Sequence, residues 1–244
     1  MPVCPAARSA RRSPSWKERP VPPSLDPAEL QRVGELCAEH GIHTVECVLV
    51  DTWGIPRGKR VPTQQFLRRT GFAIANVLYT WDPRCGIFDT PFVDASDGFP
   101  DMAVVPDLSS FRVAGWADGV AVVLCDSYAE DGEPVALDPR RMLKRVLDRF
   151  AGHGLTVQAA TELEFHLMTP DWEPLFSDVH CYSIAKGAEL EPVLLDIRES
   201  LRRTGIEVEA CNVEYGPGAG RDQPAVRPGA GDGRRHRAVQ VRGP

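Results

Sequence analysis

The sequence lacks several features that define common classes of protein. It contains no uninterrupted run of about 18 apolar residues, the length that a membrane span requires. Its start, Met-Pro-Val-Cys-Pro, lacks the charged and then apolar plan of a secretory signal. The motifs of a P-loop, a serine-hydrolase elbow and an HExxH zinc helix are also missing. We therefore expect a cytoplasmic protein with no membrane partner.

The cysteines lack any paired spacing. There are seven of them, at positions 4, 37, 47, 85, 125, 181 and 211, and none belongs to a C-x-x-C pair. An odd, scattered set indicates neither a disulfide framework nor a zinc finger. We expect reduced thiols that are mostly buried.

The two ends of the chain have few apolar residues and an excess of positive charge. Residues 1–24 hold five Lys and Arg against one Glu, together with six Pro. Residues 216–244 hold six Arg, two Asp and seven Gly. Such compositions do not form a core, so we expect residues 1–25 and 219–244 to be disordered. The chain as a whole carries a net charge of -6, and an acidic body with basic ends argues against a nucleic-acid partner.

The middle of the chain alternates helical and strand patterns, which predicts an α+β fold. Turn residues divide it into a smaller domain over residues 26–130 and a second one over residues 131–218. Asp26-Pro27 and Asp138-Pro139 are typical helix starts. The predicted helices are 26–40, 63–69, 138–152 and 191–203, and the predicted strands are 44–51, 58–62, 102–105, 120–125, 156–168 and 206–210.

One segment, residues 161–167, carries most of the chemistry. Strand alternation directs Glu162, Glu164 and His166 to one face, with the two carboxylates about 7 Å apart. A half-buried strand with a solvated side explains the pattern, and so does a site for a hard cation such as Mg²⁺, which prefers carboxylate oxygens. Glu209 and Glu214 follow in the next strand region and could supply further ligands.

Five ordered segments resemble the first half of the glutamine synthetase family. The resemblance covers residues 26–218 and is carried by DTWGIPRGKRVP (51–62), GFPDMAVVPD (98–107), LCD (124–126), ELEF (162–165) and EACNVEYGPG (209–218). It implies a small β-grasp-like N-terminal domain followed by a truncated catalytic α+β domain. It also implies homo-oligomers with active sites between subunits.

The resemblance further implies an ATP-dependent ligase of nitrogen metabolism. Members phosphorylate the γ-carboxylate of glutamate with ATP, and ammonia or an amine then displaces the phosphate, as in glutamine biosynthesis. Glu164 and Glu214 match ligands of the metal that orders the glutamate and amine site. Glu162 matches a ligand of the metal that bridges the ATP phosphates, and Glu209 matches an acid on the nucleotide side. The implied cofactors are ATP and Mg²⁺ or Mn²⁺.

Two departures from the family pattern qualify this expectation. Residues 71–78 (GFAIANVL) stand where ammonia-using members have an aspartate that helps to bind ammonium, and Asn76 is the nearest polar substitute. Removing a negative charge weakens the capture of a small cation. A γ-glutamyl polyamine or other γ-glutamyl amide synthetase is therefore an alternative.

The second departure begins after Gly218. Synonymous codons for residues 219–241 can be chosen so that dropping the first base yields Gln-Val-Glu-Ile-Asn-Leu-Arg-Tyr-Gly-Pro, the continuation that the family would have. We therefore expect a frameshifted tail, which puts Arg221 where the family has a metal-binding carboxylate. An incomplete and catalytically inactive fragment, or a non-enzymatic interaction subunit, is the alternative function.

Overall fold

The computed structural model describes residues 24–69, 71–88, 90, 93, 96, 98–224, 227–228 and 237–241. Within these residues, no helix is both long and apolar enough to cross a membrane. The predicted disorder of residues 1–25 falls almost wholly outside this range. Leu25 lies inside it and packs against the main core.

The first part of the chain builds a six-stranded sheet. The elements are α1 (Pro27–Glu39), β1 (Thr44–Val50), β2 (Pro56–Pro62), α2 (Thr63–Phe66), β3 (Phe72–Ala75), β4 (Asp101–Pro106), β5 (Arg112–Val113) and β6 (Val120–Tyr128). The strands run in the order β2-β1-β6-β4-β3, and β5 also pairs with β6. The strand β1 is antiparallel to β2, as the hairpin pattern predicts, and parallel to β6.

Local sequence explains why α1 and β1 form where they do. The Asp26 carboxylate accepts a hydrogen bond of 2.9 Å from the backbone N–H of Ala28 and so caps α1. Gly41, with φ of 60°, takes the left-handed conformation just past the helix end. Along β1, Val45, Cys47 and Leu49 alternate into a core shared with β6, because successive side chains of a strand point to opposite faces.

The second part of the chain builds two three-stranded sheets. The elements are α3 (Pro139–Gly152), β7 (Leu155–Ala159), β8 (Leu163–His166), α4 (Ile184–Arg203), β9 (Val208–Val213), β10 (Ala219–Pro224), β11 (Arg227–Pro228) and β12 (Arg237–Val241). One sheet has the order β8-β10-β9 and is antiparallel throughout, and the other has the order β11-β7-β12. Helix α4 packs on β9, and α3 packs on β7.

Three predicted elements of this part are wrong in extent, and one of them, the strand over 206–210, is β9 at Val208–Val213. The predicted single strand over 156–168 is instead two strands, β7 and β8, which belong to different sheets. Residues 160–162 between them are not in strand conformation. Helix α4 begins at Ile184, where Ser183 caps it, and not at Glu191. Pro192, which has no backbone N–H to donate, lies inside the helix.

The expected disorder of the tail is wrong for the tail residues that the structure describes. Ala219–Pro224 form β10, the central strand between β8 and β9. Ala219, Gly220 and Asp222 are buried there. Residues 227–228 and 237–241 are strands paired with β7, and the remaining tail residues lie outside the described range.

Mixed helices and sheets give the second part an α+β architecture, as expected. The β-grasp-like description of the first part stays a prediction, and so does the domain boundary near residue 130. Asp138, which caps α3, links the two parts: its buried carboxylate accepts hydrogen bonds from the backbone N–H and the hydroxyl of Ser127, at 3.1 and 2.8 Å.

Candidate functional site

The register of the β8-β10-β9 sheet brings one side chain from each strand to a common face. Arg221 on β10 lies opposite Glu164 on β8 and opposite Asn212 on β9. Directly opposed residues of antiparallel strands project to the same side of the sheet, with close Cβ atoms. The face that sequence alternation assigns to Glu164 therefore also carries Arg221.

Three carboxylates converge on the Arg221 guanidinium. Its Nη2 lies 2.6 Å from Oε1 of Glu164 and 2.8 Å from Oε1 of Glu214, and its Nη1 lies 3.2 Å from Oε2 of Glu162. Arg221 leaves 18% of its side chain exposed, against 51% for Glu162, 54% for Glu164 and 7% for Glu214. Glu162, Glu164 and Glu214 are three of the four residues that the sequence selected, and the structure brings them together.

Glu214 is the fixed member of this carboxylate cluster. Its Oε1 accepts a hydrogen bond of 3.0 Å from the Asn212 side-chain amide, and its Oε2 accepts one of 3.1 Å from the backbone N–H of Tyr215. Asn212 was not selected from the sequence. The available signal was alternation, which places a residue two positions before Glu214 on its face.

A turn behind Glu214 depends on glycine. Gly218 has φ of 66°, and a Cβ there would come within 2.6 Å of the Leu167 carbonyl oxygen. The turn therefore lets the chain pass from β9 into β10 against the end of β8. In the same corner, Nδ1 of His166 lies 3.0 Å from the carbonyl oxygen of Pro217, so His166 contacts the turn.

Charge at the cluster is only partly balanced, with three carboxylates around one cation. Burial disfavours the charged form of Arg221. The hydrogen bond to Glu164 and the charges of Glu214, Glu162 and Glu164 outweigh it, so the pKa of Arg221 is raised above its ordinary value. Arg221 is consequently a permanent cation at this site.

The cluster does not fit a divalent metal ion as it stands. A metal would need several carboxylate oxygens directed at one point, whereas these oxygens are directed at two different nitrogens of a planar group. In the described part of the chain, no group of three or more His, Cys, Asp and Glu residues is arranged to hold a metal ion.

Glu209, the fourth selected residue, lies apart from the cluster. It is exposed on β9 next to the register shift between β9 and β10, where Gln223 pairs with Ala210 and Pro224 with Val208. Among the described ion pairs of Arg221, none is with Glu209.

Asn76 borders a cavity in the first part of the chain. The cavity has a volume of about 460 Å³, and its lining includes Asn76, Tyr79, Met102 and the acidic residues Glu130 and Asp131. The Asn76 Oδ1 is buried and has no hydrogen-bond partner among the described residues. An unsatisfied buried acceptor favours a hydrogen-bond donor at this position.

Comparisons with known proteins agree with the resemblance. Residues 136–221 match the model of the glutamine synthetase catalytic domain, and the match ends at Arg221. The chain is 32% identical over 205 residues to glutamate–isopropylamine ligase of Pseudomonas sp, covering 78% of this chain and 45% of that protein. It is also 32% identical over 222 residues to γ-glutamylethanolamide synthetase of Streptomyces coelicolor, covering 84% of this chain and 48% of that protein.

The fold agrees with solved structures as well. The structure of GmaS without ligand superposes with a TM-score of 0.67 at 21% identity, covering 80% of this chain and 45% of that one. The chain spans about half the length of the curated relatives it matches. From the catalytic-domain match and these relatives, the chain belongs to the glutamine synthetase family.

Proposed function

We propose that this fold serves an ATP-dependent ligase that joins the γ-carboxylate of glutamate to an amine. The observation that carries the proposal is the meeting of Glu162, Glu164 and Glu214 on one sheet within the region that matches the family's catalytic domain. Carboxylates gathered in this way are typical of sites that handle phosphate through cations, and in this chain the cation among them is the Arg221 guanidinium. Glu209 is proposed on the nucleotide side, as the resemblance implies.

The proposed reaction has two steps. A γ-carboxylate oxygen of glutamate attacks the terminal phosphorus of ATP, which releases ADP and forms an acyl phosphate. The amine nitrogen then attacks the acyl carbon, the C–O bond to phosphate breaks, and the nitrogen loses a proton. The product is a γ-glutamyl amide, together with ADP and inorganic phosphate.

We propose an alkylamine as the acceptor substrate. One relative is named as a glutamate–isopropylamine ligase and another as a γ-glutamylethanolamide synthetase. Asn76 supports this choice, because a neutral amide attracts ammonium less strongly than a carboxylate and offers an acceptor to an amine N–H. A polyamine is the alternative acceptor.

The second candidate is a protein of this fold without ligase turnover. The observation that favours it is Arg221, which places a guanidinium among the carboxylates that the ligase would need for its cations. A site that loses its cation-binding capacity loses the charge neutralisation on which phosphoryl transfer depends.

An ADP-release assay separates the two candidates. The purified chain is supplied with ATP, glutamate, Mg²⁺ or Mn²⁺, and in turn ammonia, isopropylamine, ethanolamine or a polyamine. The ligase predicts ADP release that requires both glutamate and an amine, and that falls in Glu164→Gln but not in Glu189→Gln, an equal charge change on α4. ADP release at the level of the glutamate-free blank with every amine would support the second candidate and contradict the first.

A further inference from the structure

We propose that the guanidinium of Arg221 is the resident cation of the carboxylate cluster and that it excludes divalent metal ions from it. This goes beyond ligase chemistry, because it concerns how the chain itself compensates its buried charge. It applies whether or not the protein forms an amide bond.

The contacts of Arg221 are those of a cation held by several carboxylates. Two of its nitrogens reach three carboxylates that come from three separate places: just before β8, within β8 and just after β9. A guanidinium offers donors in a fixed planar fork, which suits several carboxylates better than a point charge does. The Arg221 side chain therefore links β10 to β8 and to the residue that follows β9, in addition to the backbone pairing of these strands.

The charge arrangement would be unfavourable without this cation. Glu214 is 7% exposed and is held by Asn212 and by the Tyr215 backbone, so it cannot turn toward solvent without breaking those hydrogen bonds. Glu162 and Glu164 are half exposed and contact the same guanidinium. Three carboxylates so placed repel one another and need a positive partner.

A divalent ion cannot take that role while Arg221 is present. It would meet a fixed positive charge 2.6 to 3.2 Å from the oxygens that it needs. Like charges at such separations repel strongly where water is partly excluded. The exclusion follows from position and charge together, so substituting Arg221 alone should remove it.

The register of β10 indicates which substitution should convert the site. Residue 221 projects between Glu164 and Asn212 on the face of the cluster. Arg221→Glu would add a fourth carboxylate there and create an oxygen-rich group of the kind that Mn²⁺ and Mg²⁺ prefer. Arg221→Gln would remove the cation without adding a ligand charge, and so separates the two effects.

The test measures binding of Mn²⁺ alone, without ATP or glutamate, by electron paramagnetic resonance and calorimetry. We expect only weak, non-specific Mn²⁺ binding by the parent chain and a specific site in Arg221→Glu that binds at least about tenfold more tightly, with Arg221→Gln between the two. Arg202→Glu, an equal charge change at an exposed ion pair on α4, should behave as the parent does. Adding Glu214→Gln to Arg221→Glu should weaken the new site.

Two results would overturn the proposal. One is a Mn²⁺ site in the parent chain that is lost in Glu164→Gln, and this measurement does not depend on whether Arg221→Glu folds. The other is a folded Arg221→Glu protein, with parent-like circular dichroism, that binds Mn²⁺ no better than Arg202→Glu. The Mn²⁺ titration uses no ATP, glutamate or amine. A protein without ligase turnover would therefore contradict the proposed function but not the proposed role of Arg221.

Discussion

The three carboxylates around Arg221 should contribute unequally to stability, because they differ in burial. Glu214 is buried and uses both oxygens, one for the Asn212 amide and Arg221 and the other for the Tyr215 backbone. Glu162 and Glu164 are half exposed. Neutral substitutions at the three positions therefore compare a buried charged acceptor with two solvated ones.

The expected magnitudes follow from the partners that each substitution leaves. In Glu214→Gln, the amide nitrogen must face either the Tyr215 N–H or the Asn212 amide and Arg221, so at least one hydrogen bond to a charged acceptor is lost. Such a loss costs about 1.5 to 3 kcal/mol. Exposed ion pairs contribute about 0.2 to 1 kcal/mol, so Glu162→Gln and Glu164→Gln should each cost less than about 1 kcal/mol.

Urea unfolding followed by far-ultraviolet circular dichroism measures these differences in the free energy of unfolding. Glu189→Gln on α4 serves as a control with the same charge change at an exposed pair with Lys186. A high-salt series should weaken the effects at Glu162 and Glu164 more than the effect at Glu214. Equal destabilisation by Glu164→Gln and Glu214→Gln would contradict the expected difference between buried and half-exposed carboxylates.

Three further predictions concern pH, the gene and one helix. Burial opposes ionisation of Asp107, but hydrogen bonds from Ser109 and Arg140 and the charges of Arg140 and Lys144 outweigh it and lower its pKa from 3.8 to about 2. The ionised carboxylate of Asp107 stabilises the fold at pH values above its ordinary pKa, and this contribution is lost as the pH falls toward the lowered pKa. The free energy of unfolding should therefore drop between pH 4 and 2, and it should drop less steeply in Asp107→Asn. Sequencing the gene around codon 219 should reveal an extra base, and codons incompatible with the shifted reading would contradict the frameshift. Met142 and Val146 on α3 are about half exposed, so the chain should self-associate in gel filtration and Met142→Lys should reduce this; a monodisperse parent would contradict it.

Elements with both a boundary signal and a clear period were predicted well from the sequence. Helix α1 has Asp26 and Pro27 at its start and Gly41 past its end, and α3 begins after Asp138 in the same manner. The β1 and β2 hairpin has a buried alternating strand and a turn that contains Gly54. In these elements, local propensity and the final packing favour the same structure.

Elements were mispredicted where the decisive interaction is distant along the chain. Residues 155–166 alternate without a turn residue, so nothing local indicates that β7 and β8 join different sheets. The length of α4 depends on packing of Leu190 and Leu194 against Val213, which overrides the preference of Pro192 for a helix start. Strand β10 has a loop-like composition, and its pairing with two neighbours outweighs it.

Strand β10 also explains how the family fold and an altered site coexist in one chain. Backbone hydrogen bonds of an antiparallel sheet form with almost any side chain. Ala219 and Gly220, the first residues of β10, are buried, and their small size suits that position. Residue 221 is then placed by register alone, opposite Glu164, whatever its charge. The carboxylate cluster needs a cation, and an arginine in this position supplies one from the chain itself. Register therefore fixes the position of residue 221, while the chemistry of the site depends on the side chain that it carries.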